Sequence, residues 1–389
     1  MYRMIAFCVM ATLATSAAVS VEASKENEAR IERIERGLRV RENDAAKERE
    51  SSISKEMKRL KVPGVSIAVI ENSAIAWTKV YGVADAATKS PVAAESLFQA
   101  ASISKPVTAL AALHLAQEGK LSLDANINDA LTSWKLPPHS AGYTATLRQL
   151  LSHTAEITVS GFPGVSTSAP VATTLEILNG TPPAITKPIV IDIEPNTQFK
   201  YSGGGYTIVQ QTLMDKMQMP FPQLMRALVL DPLEMRESTF EQPLPTALDA
   251  RAVAAHDFDG SPVPGRWNVY AEQAAAGLWT TPSDLAKVAI EVQKTLEGAQ
   301  GKVVSKETLE AMLTKQTGGR TGLGFFLEGE GDTMRFAHSG GNRGFTCLLV
   351  ASKTRGFGAV IMTNGAKGDV LYREILAAIE NEYRWDGPK

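Results

Sequence analysis

Apolar and polar positions follow a strand-like pattern at both ends of the chain. Residues 65–70 and 74–81 are two β-rich runs joined by the turn Glu71-Asn72-Ser73, which predicts a hairpin. Further short strands are predicted towards the C-terminus, at residues 322–328, 333–338, 346–352 and 357–363. An amphipathic helix is predicted for residues 369–385, where apolar residues recur at helical spacing.

The middle of the chain has a different character, with helices and irregular loops that are rich in Pro, Thr and Ser between about 136 and 200. We therefore expect an α+β fold in which an antiparallel sheet, built from both chain ends, is flanked by helices. The sheet part would occupy about 62–105 and 280–389, with a mostly helical insertion at about 106–279. A functional site is expected at the seam between the two parts.

Two segments precede this body, which we expect to span residues 62–389. Residues 1–23 resemble a secretory signal, with Arg3, a short apolar run and Val21-Glu22-Ala23 as a small-x-small cleavage site. This predicts a secreted or periplasmic protein; the alternative is an uncleaved N-terminal membrane anchor. Residues 24–61 are highly charged, and Ile31, Ile34 and Leu38 at helical spacing predict a helical extension without chemistry.

Composition excludes several classes of protein. The 389 residues are 44% hydrophobic and 21% charged with a formal net charge of -2, which is typical of one large domain or two intergrown ones. No basic block is present, so we expect no nucleic-acid partner. Outside the leader, Cys347 is the single cysteine, and its apolar surroundings predict a buried thiol.

The tetrapeptide Ser-Ile-Ser-Lys occurs twice, at 52–55 and at 102–105. A serine with a lysine three residues later can act as nucleophile and base when the pair opens an apolar helix. The first copy lies in a charged stretch with nothing to desolvate its lysine, so we interpret it as a coincidence. The second copy is followed by Pro106 and an apolar run, and proline is tolerated in the first turn of a helix. Ser102 is therefore expected at a helix N-terminus.

This placement suits acyl transfer. Residues three apart share a helix face, so Lys105 is expected beside Ser102. Burial disfavours the charged form of an amine, and a neutral amine accepts the serine proton. Free N–H groups at the helix start stabilise negative charge that develops in the reaction.

Two glycine-rich motifs are candidates for the rest of the site. The first is Tyr201-Ser202-Gly203-Gly204-Gly205, which precedes a helical stretch at 207–217 and can present the Tyr201 hydroxyl. It does not match a dinucleotide-binding loop, because Ile208 occupies the position of the third glycine in the Gly-x-Gly-x-x-Gly pattern. The second is His338-Ser339-Gly340-Gly341, expected between two strands, where glycines allow close approach of a substrate. The segment Lys315-Gln316-Thr317-Gly318 is a weaker candidate.

Together these motifs resemble the serine β-lactamase-like and penicillin-binding-protein-like superfamily, in its class C β-lactamase-related branch. This branch includes D-aminopeptidases, family VIII carboxylesterases and mitochondrial β-lactamase-like proteins. The resemblance covers roughly residues 60 to 385 and also includes two further segments, 150–154 and 277–285.

The resemblance implies a role for each motif. Ser102 would be the acylated nucleophile, Lys105 its proton acceptor and Tyr201 the residue that shuttles protons. The backbone N–H groups of Ser102 and Gly341 would form the oxyanion hole, and His338 would replace the lysine of a Lys-Thr-Gly element. Neither a metal nor an organic cofactor is implied, and the other histidines have no metal-binding spacing.

Three departures from the family pattern bear on the substrate. Gly203 stands where many relatives have asparagine, and a neutral His338 would hold a carboxylate less firmly than lysine. Glu156 stands at a common glycine, where it either reshapes the entrance or is a surface change. Arg343 either supplies positive charge or is an exposed loop residue.

The sequence thus predicts a serine hydrolase that cleaves small-molecule ester, peptide or β-lactam substrates, with ester and peptide bonds favoured over β-lactams. The alternatives are a penicillin-binding or cell-wall-peptide-binding protein without turnover, and an oligomeric scaffold. The oligomeric state is not predicted.

Overall fold

A computed structural model describes residues 25–41 and 48–385, with the backbone alone described at residue 41. The predicted leader, residues 1–23, lies outside the described residues. By its internal contacts the chain divides into two units, residues 57–372 and a smaller unit made of residues up to 56 together with those from 373 onward. No helix in the described part is long and apolar enough to cross a membrane.

The larger unit contains a six-stranded sheet in the order β4-β3-β12-β11-β10-β9, and every neighbouring pair is antiparallel. Its strands are β3 (Gly64–Glu71), β4 (Ala74–Gly82), β9 (Phe326–Glu328), β10 (Arg335–Asn342), β11 (Phe345–Ser352) and β12 (Gly358–Thr363). The prediction of an α+β fold with an antiparallel sheet built from both chain ends is confirmed.

Burial follows the position of each strand in this sheet. All six residues of the central strand β12 are buried, which explains its uninterrupted apolar run. The edge strand β4 is mostly exposed or half-buried. The turn between β3 and β4 consists of Asn72 (φ 52°) and Ser73 (φ 54°), and two residues with positive φ match the type I′ turn that suits a twisted hairpin.

Helices occupy the region between the two groups of strands, as predicted. Their bounds are α3 (Ser104–Gln117), α4 (Ile127–Ala130), α5 (Leu147–Ser152), α6 (Thr174–Asn179), α7 (Gly203–Met217), α8 (Phe221–Met225), α9 (Gln273–Ala276), α10 (Pro282–Leu296) and α11 (Lys306–Met312). The last helix of the chain, α12 (Gly368–Tyr383), agrees with the predicted amphipathic helix. Short strands also pair within this region, β5 (Phe98–Gln99) with β8 (Trp279–Thr280) and β6 (Val165–Ser166) with β7 (Asn268–Val269).

Two predicted strands differ in length from the structure. The strand expected at 322–328 is limited to β9, because Gly324 has φ +106° and approaches α3 so closely that an added Cβ would lie 2.8 Å from Ala109 Cβ. The strand expected to end at residue 338 continues to Asn342. The glycine-rich motif is therefore part of a strand, and the turn is limited to residues 343–344.

Among its described residues, the helical extension predicted for 24–61 is only partly helical. A first helix, α1, covers residues 25–36, but β1 (Leu38–Arg41) and β2 (Glu48–Ser51) then form an antiparallel pair. The helix α2 (Ile53–Leu60) also lies in this segment. The prediction was wrong here because the high charge of the segment hid the alternation in β1, where Leu38 and Val40 are buried and Arg39 is exposed.

Candidate active site

Ser102 and Lys105 lie on consecutive turns at the start of one helix. Ser102 belongs to a 3₁₀ turn (Ala101–Ile103) that leads directly into α3, and Lys105 is in the first turn of α3. The Lys105 Nζ atom lies 3.1 Å from Ser102 Oγ and donates a hydrogen bond of 2.8 Å to the Ala275 carbonyl. Lys105 is 2% exposed, whereas Ser102 is half-buried. The serine is thus open to a substrate while its amine neighbour is enclosed.

The backbone just before Ser102 is strained. Ala101 has φ +47°, a value that is uncommon for a residue with a side chain and that is typical of functional sites. The strand β10 holds this segment in place, because Gly340 approaches it so closely that an added Cβ would lie 2.2 Å from the Ala100 carbonyl oxygen. Behind the segment, the buried Cys347 thiol donates to the same carbonyl at 3.0 Å. Burial raises the pKa of this thiol, so it packs as an inert core group.

The second glycine-rich motif alternates along β10. His338 and Gly340 are buried, whereas Ser339 and Gly341 are exposed, and an added Cβ at Gly341 would meet nothing within 4 Å. The hairpin between β10 and β11 has a two-residue turn, and the residues that flank such a turn bond to each other through their backbone N–H and C=O groups. Here these residues are Asn342 and Phe345. Since hydrogen-bonded and open pairs alternate, the Gly341 N–H points away from β11. On that side β9 covers only residues 335–337, so the Gly341 N–H faces an uncovered edge.

Tyr201 lies immediately before α7, whose N-terminus is capped by the Ser202 hydroxyl accepting from Gly205 N at 2.9 Å. The centroid of the Tyr201 ring is 5.0 Å from Lys105 Nζ. The ring also contacts Phe326 and His338, with centroids 6.3 Å apart in both cases. The structure therefore brings Tyr201 next to Lys105 and the β10 motif.

His338 is a neutral group in this site. Its Nδ1 donates to the Ser339 carbonyl at 2.6 Å, so Nε2 carries the lone pair. Burial, followed by the charge of Lys105, lowers the pKa of His338 to about 3. His338 Nε2 is buried and has no hydrogen-bond partner within the described residues. The side chain thus offers an acceptor and no positive charge.

Glu156 is not a surface change. It has φ +54°, which explains a glycine preference at this position, and its side chain is fully buried. Gln198 Nε2 lies 3.5 Å from one carboxylate oxygen, and the other oxygen has no partner among the described residues.

The absence of a side chain at Gly203 also has a structural reason. An added Cβ would lie 2.9 Å from a ring carbon of Phe162 and 3.3 Å from the Ser160 carbonyl oxygen. Phe162 therefore covers the position where an asparagine side chain would begin.

Arg343 is engaged in an ion pair. Its guanidinium donates to both carboxylate oxygens of Asp257, at 3.2 and 2.9 Å. This supports the interpretation of Arg343 as an exposed loop residue. Lys315, in the weaker candidate motif, lies outside the strands and 3.7 Å from Glu330. In the first tetrapeptide Lys55 is exposed, which agrees with its interpretation as a coincidence.

Two contributors to the site were not predicted. Asn342 donates to Gln99 Oε1 at 2.7 Å and to the Ala276 carbonyl at 3.1 Å, and thereby ties β10 to β5 and α9. The Ala275 carbonyl accepts from Lys105 as described above. A backbone carbonyl leaves no signal in the sequence, and Asn342 directly follows the glycine-rich motif without any pattern that indicates its partners.

Two other kinds of candidate site would compete with this one, a surface cavity and a group of metal-binding side chains. A surface cavity of about 680 Å³ contains none of the predicted site residues, and its Arg251 pairs with Glu237. Within residues 25–41 and 48–385, no group of three or more His, Cys, Asp or Glu side chains is placed to hold a metal ion.

Comparison with known proteins agrees with the fold and the motifs. The family model described as Beta-lactamase matches residues 50–382. Protein flp of Staphylococcus aureus (strain MW2) is 25% identical over 334 residues, which are 83% of this chain but 64% of that protein. The chain thus spans less than two thirds of the length of this curated relative.

Solved structures show the same fold. The octameric penicillin-binding protein homologue from Pyrococcus abyssi has a TM-score of 0.69 at 23% identity, over 85% of this chain and 77% of that chain. The structure of SurE with D-Leu has a TM-score of 0.68 at 22% identity, over 85% and 74%. From the sheet, the motifs and the matched family model together, the chain belongs to the Beta-lactamase family.

Proposed function

We propose that this protein is a serine hydrolase that forms an acyl-enzyme at Ser102. The observation that carries the proposal is the 3.1 Å contact between Ser102 Oγ and the buried Lys105 Nζ at the start of α3. A nucleophile and its base within hydrogen-bond reach, at the N-terminus of a helix, are the minimum that acyl transfer requires.

In the proposed reaction, Ser102 Oγ attacks the carbonyl carbon of the substrate while its proton passes to Lys105, which acts in its neutral amine form. The oxyanion accepts hydrogen bonds from the N–H groups of Ser102 and Gly341. Tyr201 then gives its hydroxyl proton to the leaving group as the bond to the acyl carbon breaks, and the proton held by Lys105 restores the Tyr201 hydroxyl. Water, deprotonated through the same groups, attacks the acyl-enzyme and releases the acid and Ser102.

The proposed substrates are small esters or amides, with β-lactams disfavoured. A β-lactam carries a carboxylate, and the two candidate residues for binding it are unsuited. His338 is neutral, and the charge of Arg343 is taken by Asp257. The structural neighbour SurE was solved with D-Leu, which supports including peptides of D-residues in a substrate screen.

The duplicated tetrapeptide supplies a matched control for the test. We would incubate the protein with a fluorophosphonate probe and measure the intact mass of the wild type, Ser102→Ala and Ser52→Ala. Labelling that is lost in Ser102→Ala alone, together with loss of ester hydrolysis by at least about 10³-fold, is the expected result. Equal labelling of Ser102→Ala and the wild type would contradict the proposal. An acyl adduct that forms with an ester or β-lactam and persists for hours without turnover would favour the binding protein instead.

We also propose that the protein is exported through the leader at residues 1–23. The supporting observation is the short apolar run followed by a small-x-small site. N-terminal sequencing of protein from the natural host is expected to start near Ser24, and a protein that begins at Met1 would contradict cleavage.

A further inference from the structure

We propose that His153 is a positioning residue that holds Tyr201 in place through one fixed tautomer of its ring. The inference rests on the proposed function, because it concerns the proton transfers assigned to Tyr201. The sequence motifs assign no chemistry to His153, which lies within the segment 150–154 that the resemblance includes.

His153 contacts both flanks of Tyr201. Its carbonyl accepts from Lys200 N at 2.8 Å, and its ring Nδ1 accepts from Ser202 N at 3.2 Å. The two rings lie against each other, with centroids 4.3 Å apart and planes at 34°. His153 thus fixes the backbone before and after Tyr201 as well as the ring itself.

The local backbone brings these three contacts together. His153 is the C-terminal cap of α5, with φ 60° and ψ 37°. This left-handed conformation turns the chain back, so that the carbonyl and the ring of one residue both face Tyr201 and its neighbours. Histidine accepts such a conformation only at some cost, which indicates that the contacts outweigh it.

The Ser202 contact determines where the ring proton lies. An amide N–H can only donate, so Nδ1 must carry the lone pair and Nε2 the hydrogen. Burial, followed by the charge of Lys105, holds the pKa of His153 well below its usual value. The ring therefore remains neutral at ordinary pH, and the bond to Ser202 persists.

Two variants separate this role from simple packing. His153→Asn keeps a hydrogen-bond acceptor attached to Cγ, because asparagine Oδ1 takes the place of histidine Nδ1. Asparagine also tolerates the left-handed conformation. His153→Leu keeps much of the volume but has no acceptor. We would measure kcat and KM for two esters of the same acyl group, one with a nitrophenol leaving group and one with an alkyl alcohol.

We expect kcat of His153→Leu to fall by roughly 10- to 100-fold with KM within about 2-fold, and His153→Asn to retain most of the activity. The defect in kcat/KM, which reports the steps up to acylation, should be larger for the alkyl ester, because only that leaving group needs the proton that Tyr201 delivers. A folding defect would instead lower the activity on both esters alike and would reduce the fraction that the fluorophosphonate probe labels.

The inference is overturned if His153→Leu keeps wild-type kcat, if His153→Asn falls as far as His153→Leu, or if the defect is equal for both esters. ¹⁵N NMR of the histidine rings gives an independent check, and a hydrogen on Nδ1 of His153 would also overturn it. These outcomes differ from failure of the proposed function, in which the wild type itself shows no labelling that depends on Ser102.

Discussion

Substitution of Gly340 by alanine tests whether the contact between β10 and the Ser102 segment positions Ser102, the proposed nucleophile. The added Cβ would lie 2.2 Å from the Ala100 carbonyl oxygen, 2.6 Å from Cys347 Sγ and 3.1 Å from Ala101 Cβ. The first of these atoms belongs to the backbone and cannot rotate away. Ordinary contact begins near 3.4 Å, so the segment must move by roughly 1 Å.

A displacement of this size has two expected effects. Overpacking of a buried contact costs about 1–3 kcal/mol of unfolding free energy. Misplacement of a reacting group by about 1 Å lowers the rate by roughly 100-fold. We would measure the urea midpoint and the rate of fluorophosphonate labelling of the Gly340→Ala protein.

Gly341→Ala is the matched control for stability, because an added Cβ there meets nothing within 4 Å. The urea midpoint of Gly341→Ala should correspond to a free energy of unfolding within about 0.5 kcal/mol of the wild-type value. If Gly340→Ala labels as fast as the wild type and unfolds at the same urea concentration, the close approach does not position Ser102, and the reasoning is refuted.

Three further experiments test other parts of the structure. Glu156→Gly should raise the unfolding free energy by about 1 kcal/mol, because it relieves a positive φ and removes a buried carboxylate; an unchanged or lower urea midpoint would contradict this. Gly203→Asn should lower the thermal midpoint, because the new side chain would clash with the Phe162 ring. The double variant Gly203→Asn/Phe162→Ala should regain most of the lost thermal stability, whereas additive losses of the two substitutions would show that Phe162 does not cause the clash. Burial raises the pKa of Glu272 from 4.5 to about 7 in the folded protein. Between about pH 4.5 and about pH 7 the folded state therefore keeps a proton that the unfolded chain has lost, so the free energy of unfolding falls as the pH rises through this range. Glu272→Gln should flatten that fall in urea titrations, and an unaltered pH slope would count against it.

The sequence allowed prediction of those features that depend on side-chain pattern. Alternation and apolar runs indicated the strands of the sheet, because burial on one or both faces dictates them. Pro106 located the start of α3, since proline fits only the first helical turn. The spacing of Ser102 and Lys105 then led to the contact that the structure contains.

The features that escaped prediction depend on the backbone or on distant contacts. The Ser-Gly-Gly stretch looked like a turn, yet it continues β10, because Gly340 must approach the Ala100 carbonyl. The positive φ of Ala101 could not be predicted either, because alanine is not a residue type that indicates this backbone conformation. The contact of His153 with Ser202 joins residues far apart in the sequence, so no local pattern could have indicated it.

The electrostatics of the site are organised around the single amine of Lys105. Burial and this amine together lower the pKa of both His153 and His338, so neither ring adds a second positive charge. One ring has Nδ1 as an acceptor and the other has Nδ1 as a donor, each fixed by a backbone partner. Neutral rings with fixed tautomers can orient Tyr201 and the β10 edge without competing with Lys105 for a proton. A substrate that brings its own negative charge would meet no free cation from His338 or Arg343, and this is the physical reason to test neutral esters and amides before β-lactams.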